Sequence, residues 1–215
     1  MRILYFIIYC FSLHANLEQI FTQIYEMGTW NESGFSLNGS HISYTKKYVD
    51  FLQDFMKENQ IRSVVDIGCG DWAFSKYVNW EGIDYLGIDI VKFVIERNQR
   101  LFARHSIVFV QGNALEMELP EADLLICKDV FQHLSNADIK KMLKKFAKFK
   151  HCLITDYVDY RTMTSLNNDI VSGCCHHVDL TKPPFNVKGK KIFSFQALMY
   201  PKQTIHILQK DLIRE

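Results

Sequence analysis

The chain has 215 residues, 48% of them hydrophobic, enough for one sizeable core in one domain or slightly more. Its net charge of +1 gives no bulk electrostatic case for a nucleic-acid partner. The six cysteines include no CxxC pair and read as small buried residues, not a disulfide framework. Cys174-Cys175-His176-His177 is the one cluster suggestive of a metal, and with no second ligand cluster it reads as a loop.

Residues 1–15 form an apolar, signal-like segment: Arg2, an apolar run from Ile3 to Leu13, then small Ala15. The run is too short for an ordinary membrane span, and an apolar first helix is the alternative. Residues 16–60 read as a helical cap, helix–loop–helix, with a Gly/Asn/Ser-rich loop from Gly28 to Ser43. Tyr48, Phe51, Leu52, Phe55 and Met56 give the second helix its apolar spacing. From residue 61 to 215 short apolar runs alternate with helical patterns. Strands are expected at Arg62–Ile67, Tyr85–Ile88, Ile107–Val110, Leu124–Cys127 and Cys152–Thr155. Helices are expected near Ala73–Val78, Phe93–Ala103 and Asn136–Phe149. Such alternation makes an α/β fold with a parallel sheet covered on both faces. Residues 158–190 look like a long connection or cover. Ile192–Tyr200 and Thr204–Gln209 flank Pro201-Lys202 as a hairpin.

The chemistry concentrates in Asp66-Ile67-Gly68-Cys69-Gly70-Asp71-Trp72-Ala73, a strand running into a glycine turn. Glycines let backbone approach a ligand, and a following helix N-terminus would offer free N–H groups. Gly68-x-Gly70-x-x-Ala73 also satisfies a dinucleotide fingerprint, so an NAD-dependent oxidoreductase is one reading. Asp66 separates the two, because a carboxylate there repels a pyrophosphate and favours an ammonium-bearing ligand such as S-adenosylmethionine. Asp89 lies 19 residues after Gly70, where a carboxylate can accept from a ribose diol. Asn113 and Ala114 end the third strand, and Lys128-Asp129-Val130-Phe131-Gln132-His133 ends the fourth.

In this order the motifs resemble those of the class I S-adenosylmethionine-dependent methyltransferases, over roughly residues 60–157. Two departures stand out: Trp72 takes the place of a third glycine and Asn113 that of an aspartate. The resemblance implies a Rossmann-like three-layer αβα sandwich, with a seven-stranded, mostly parallel sheet and an antiparallel C-terminal hairpin. It implies cofactor contacts at Asp66, Gly68, Cys69, Gly70, Asp89, Ile90, Asn113, Ala114, Lys128 and Asp129. Phe21–Thr45 resembles the N-terminal region of a poorly characterised branch of the superfamily, which adds Trp30 as a cation–π partner for a sulfonium. No resident metal is implied.

Methyl transfer needs a general base only when the acceptor arrives protonated. His133 is the candidate base, with a loop hydrogen bond as its alternative role, and Asp156 is a second candidate at the same sheet edge. His177 and Asp179 either face the acceptor or lie in a solvated loop. The Lys140-Lys141…Lys144-Lys145…Lys148 run reads as a solvated helix face. The expected activity is O- or N-methylation of a small-molecule, sugar or lipid acceptor, with no nucleic acid and no stable membrane span. A non-catalytic methyltransferase-like binding module is the third reading. The expected compartment is the cytoplasm, or export if residues 1–15 act as a signal peptide.

Overall fold

A computed structural model describes residues 16–28, 40–158, 160, 166–197 and 200–212. The signal-like segment and Trp30 lie outside the described residues. The elements run α1 (Leu17–Glu26), α2 (Ile42–Glu58), β1 (Ser63–Ile67), β2 (Asp84–Asp89), α3 (Lys92–Phe102), β3 (Ile107–Gln111), β4 (Leu124–Lys128), α4 (Asn136–Phe146), β5 (His151–Tyr157), β6 (Lys190–Ala197), β7 (Tyr200–Leu208) and α5 (Gln209–Leu212).

The strands form one seven-stranded sheet in the order β3-β2-β1-β4-β5-β7-β6. β1 pairs in parallel with β2 and β4, β2 with β3 and β4 with β5; β7 runs antiparallel to both β5 and β6. Ala197 pairs with Tyr200, so the hairpin turns before Pro201-Lys202 and both residues belong to β7. The sequence places that turn three residues too late because proline is the stronger punctuation signal.

The two faces of the sheet carry separate cores. Val64, Tyr85, Phe109, Leu124, Ile126 and Leu153 pack with Tyr48, Leu52 and Phe55 of α2. Val65, Ile67, Leu125, Cys127 and Ile154 pack with Ile139, Met142 and Phe146 of α4 and with Val178 and Leu180 of the cover. Tyr48 and Leu52 are fully buried, each stabilising by about 1.5–3 kcal/mol, so α2 is integral to the sheet core. α1 starts on a capping box: the Asn16 side chain accepts from Gln19 N–H at 2.9 Å, and Asn16 N–H donates to the Gln19 side chain at 3.3 Å. Its Ile20 packs on Gly173 of the cover, where a Cβ would sit 2.5 Å from Ile20 Cγ2 and where φ is +101°.

One expected helix is absent. After the glycine turn only a short 3-10 turn forms, at Ser75–Tyr77. Trp72 takes a left-handed φ of +60°, which interrupts helical backbone before a first turn can close. Among the described residues no helix is long and apolar enough to cross a membrane.

Candidate cofactor cleft

The carboxyl ends of β1, β2, β3 and β4 open into one cleft, where ligands bind in open α/β sheets. It brings together Gly68, Cys69, Gly70, Asp89, Ile90, Asn113, Ala114, Lys128, Asp129 and His133. Gly68 and Cys69 donate backbone N–H to Ile88 O at 2.8 and 3.1 Å, tying the glycine turn to β2. Gly68 has φ +68°, and a Cβ there would sit 2.3 Å from Val130 Cγ2. The two carboxylate oxygens of Asp89 accept from Gly70 N–H and Val91 N–H, each at 3.0 Å. Burial raises the Asp89 pKa, and those two bonds counteract it. Asn113 holds its own turn by accepting Leu115 N–H on its side-chain oxygen at 3.0 Å. Ala114 is fixed differently: its carbonyl accepts Lys145 Nζ at 3.0 Å, as does Met117 O at 2.9 Å. Lys145 is therefore a tether from α4 to the cleft, not part of a solvated helix face.

Asp66, expected at the cofactor, stands apart from the cleft lining. It alternates with Val65 and Ile67, so its side chain lies on the α2 face and does not line the cleft. It is 3% exposed and accepts the Tyr85 hydroxyl at 2.6 Å. Burial pushes its pKa up to about 7, against the lowering effects of Tyr85 and Lys128. A free carboxyl titrates near 3.8, so the unfolded chain loses this proton first as pH rises, and the fold loses stability across pH 4 to 7. Asp66→Asn keeps an acceptor for Tyr85 and removes that penalty. The excess of its denaturation midpoint over wild type should therefore grow from pH 5 to pH 8, with cofactor affinity within about threefold of wild type. A tenfold loss of affinity would restore Asp66 to the site.

His133 makes the loop hydrogen bond expected as its alternative role, and Asp156 lies off the cleft. His133 lines the cleft, but Nδ1 lies 3.0 Å from Cys174 O and Nε2 lies 3.1 Å from the Gln132 amide nitrogen. With a carbonyl on one side and an NH2 donor on the other, Nδ1 carries the proton and Nε2 accepts. Burial lowers the pKa to about 4, so this ring is neutral at physiological pH and a weak base. Asp156 does not line the cleft; it is 3% exposed and accepts Gln132 N–H at 3.1 Å. Both residues hold loops where proton transfer was expected. Asp179 is 1% exposed, accepts Thr181 N–H at 2.9 Å and binds the Tyr160 hydroxyl, so it caps a buried turn, not a solvated loop. The His177 ring packs on Tyr157, with centroids 4.2 Å apart.

Three features escaped the sequence. Leu17, Phe21 and Tyr25 of α1 line the cleft; the aromatic pair at i, i+4 and the resemblance that begins at Phe21 are their sequence signals. Gln132 is a hub: besides His133 and Asp156, its side-chain oxygen accepts Tyr157 N–H and Lys202 Nζ, each at 3.1 Å, and its carbonyl accepts His176 N–H at 2.9 Å. Lys202, 5% exposed, also binds Asp129. Asp129, at φ +61°, is thus shared between Lys202 and Lys128, the latter at 2.5 Å. Attraction to these two lysines outweighs burial and holds the Asp129 carboxyl well below the usual range.

A mostly parallel sheet with a reversed penultimate strand and a glycine-turn cleft defines a Rossmann-like αβα architecture. Residues 64–150 match the family model of a methyltransferase domain. Among solved structures, magnesium protoporphyrin IX methyltransferase from Synechocystis PCC 6803, with bound SAM, superposes at TM-score 0.62 and 13% identity, over 91% of this chain and 98% of that one. Human N-acetylserotonin methyltransferase in complex with SAM gives TM-score 0.58 and 17% identity, over 90% and 60%. The PH0226 protein from Pyrococcus horikoshii OT3 gives 0.59 and 17%, over 86% and 98%. No curated protein matches by sequence. Residues 64–150 thus carry a methyltransferase-domain match within the fold shared with these S-adenosylmethionine-binding structures.

Proposed function

We propose that residues 61–215 form a methyltransferase domain, capped by residues 16–60, that binds S-adenosylmethionine in this cleft. It passes the methyl group to a small-molecule, sugar or lipid acceptor. The observation that carries the reading is Asp89: a buried carboxylate at the end of β2, oriented by Gly70 and Val91 N–H and facing the cleft. Its remaining lone pairs suit a ribose diol. Ile90, Asn113, Ala114 and Leu115 offer an apolar and backbone-lined slot for adenine, closed by Leu17 and Phe21. The glycine turn leaves backbone room for the methionine portion, beside Lys128 and Asp129. The cofactor supplies an activated methyl on a sulfonium; the chain's residues bind it, orient it and exclude water.

Calorimetric titration tests this directly. S-adenosylmethionine and S-adenosylhomocysteine should bind with micromolar affinity while NADH does not; the reverse pattern would favour the oxidoreductase reading. Turnover of labelled methyl onto any acceptor separates an enzyme from a binding module.

A further inference from the structure

Resting on the cofactor reading above, we infer that Arg97 and Asn98 of α3 are positioning residues for the amino-acid end of S-adenosylmethionine. They hold two carbonyls of the glycine turn away from the ligand, in place of the helix that does not form after that turn.

The turn needs such a hold. Each carbonyl of an α-helix accepts the N–H four residues on, so a helix starting at the turn would satisfy Gly70 O and Asp71 O internally. Trp72, at φ +60°, prevents that helix, and Gly70 is itself left-handed at φ +53°. The two carbonyls turn to α3 instead. Asn98 Nδ2 donates to Gly70 O at 2.7 Å, and Arg97 Nη1 donates to Asp71 O at 3.1 Å. Arg97 Nη1 also lies 3.3 Å from Asn98 Oδ1, which accepts from it, so the pair acts as one unit. Asn98 is fully buried and shares the inner face of α3 with Val94 and Ile95. Asparagine is a poor residue for a helix interior, and a buried amide is costly unless it is bonded. Its bonds to Gly70 and Arg97 meet that cost and fix the turn at the same time.

The geometry also says which part of the ligand depends on this. Gly70 and Asp71 line the cleft; Arg97 and Asn98 do not, so they act on the ligand through the turn. Gly70 N–H goes to Asp89 at 3.0 Å while its carbonyl goes to Asn98. The end of β2 thus fixes one side of Gly70, next to the ribose carboxylate, and α3 fixes the side that runs on to Asp71. A planar peptide points its C=O and its N–H in opposite directions, so drawing Gly70 O to α3 turns the oxygen of that peptide away from the ligand. Without Asn98, the freedom of glycine lets the peptide flip. A carbonyl oxygen then faces the carboxylate of the amino-acid end and repels it. Adenine and ribose rest on Ile90, Asn113 and Asp89, which belong to other elements.

The test compares S-adenosylhomocysteine with methylthioadenosine, a nucleoside thioether lacking the amino-acid end, by calorimetry on the full chain. Asn98→Leu keeps the volume and removes the donor. It should weaken S-adenosylhomocysteine about tenfold and leave methylthioadenosine within about twofold. Asn98→Asp sets an oxygen against Gly70 O and should weaken S-adenosylhomocysteine further, again sparing methylthioadenosine. Arg97→Met keeps the apolar stem and should show the same split, with S-adenosylhomocysteine about fivefold down. Urea midpoints establish that each variant is folded during titration. Loss of both ligands in equal measure overturns the inference, because α3 then supports the whole site. Unchanged affinity for both overturns it too. So does a wild type that binds methylthioadenosine as tightly as S-adenosylhomocysteine, since the amino-acid end then makes no contact to lose. If neither Asn98 variant folds, Arg97→Met decides by the same split. A wild type that binds neither compound instead overturns the underlying cofactor reading.

Discussion

Replacing Asp89 with alanine should weaken S-adenosylhomocysteine binding by at least about 100-fold, because two hydrogen bonds from a ribose to a carboxylate contribute about 1.5–3 kcal/mol each. Part of the loss is indirect. Gly70 N–H and Val91 N–H, each 3.0 Å from the carboxylate, lose their acceptor, and the glycine turn loses its tie to the end of β2. Asp89→Asn separates the two contributions, since its amide oxygen still accepts one bond but offers no charge. We expect it to sit between wild type and alanine, about tenfold down. Calorimetry on variants whose circular dichroism matches wild type reads both numbers. An alanine variant within threefold of wild type would make Asp89 a turn residue only.

The largest stability effect is expected at Gly68. Alanine there must adopt φ +68° and push a methyl to within 2.3 Å of Val130 Cγ2. The backbone strain costs about 1 kcal/mol and the overpacking about 1–3 kcal/mol. A loss of about 2–4 kcal/mol should lower the urea midpoint clearly and abolish cofactor binding, since Val130 lines the same cleft. Adding Val130→Ala should recover the clash but not the dihedral strain, leaving a residual loss of about 1 kcal/mol. A double variant no more stable than Gly68→Ala would show that the contact with Val130 is not the cause.

Much of the fold was legible because buried parallel strands advertise themselves. Leu124-Leu125-Ile126-Cys127 and Cys152-Leu153-Ile154 are apolar on both faces, and no surface element of this fold looks like that. The 19-residue spacing from Gly70 to Asp89 was legible for the same reason: it measures one connection and one strand. What escaped depends on which layer covers which face. Asp66 follows Val65 by one position, and period-2 alternation turns it toward α2, beside Tyr85, instead of toward the cleft. No local pattern tells which of the two faces carries the ligand. Lys202 escaped because Pro201-Lys202 reads as a turn; once the turn moves to the other side of Tyr200, a lysine must lie inside the sheet. His133 was visible as a residue but not as a role, since its partner Cys174 lies 41 residues away. The missing helix after the glycine turn reflects a single backbone choice, the left-handed Trp72.

The Gln132 hub has a kinetic meaning. Through it the exit of β4, the ends of β5 and β7 and the cover at His176 share one residue's hydrogen bonds. Lifting the cover breaks the His176 bond to Gln132 and, two residues on, the bond from Val178 N–H to Tyr157 O. Amide protons at these positions should therefore exchange with solvent at closely similar rates, as a single opening unit. Ligand that bridges the cleft should slow all of them by one common factor.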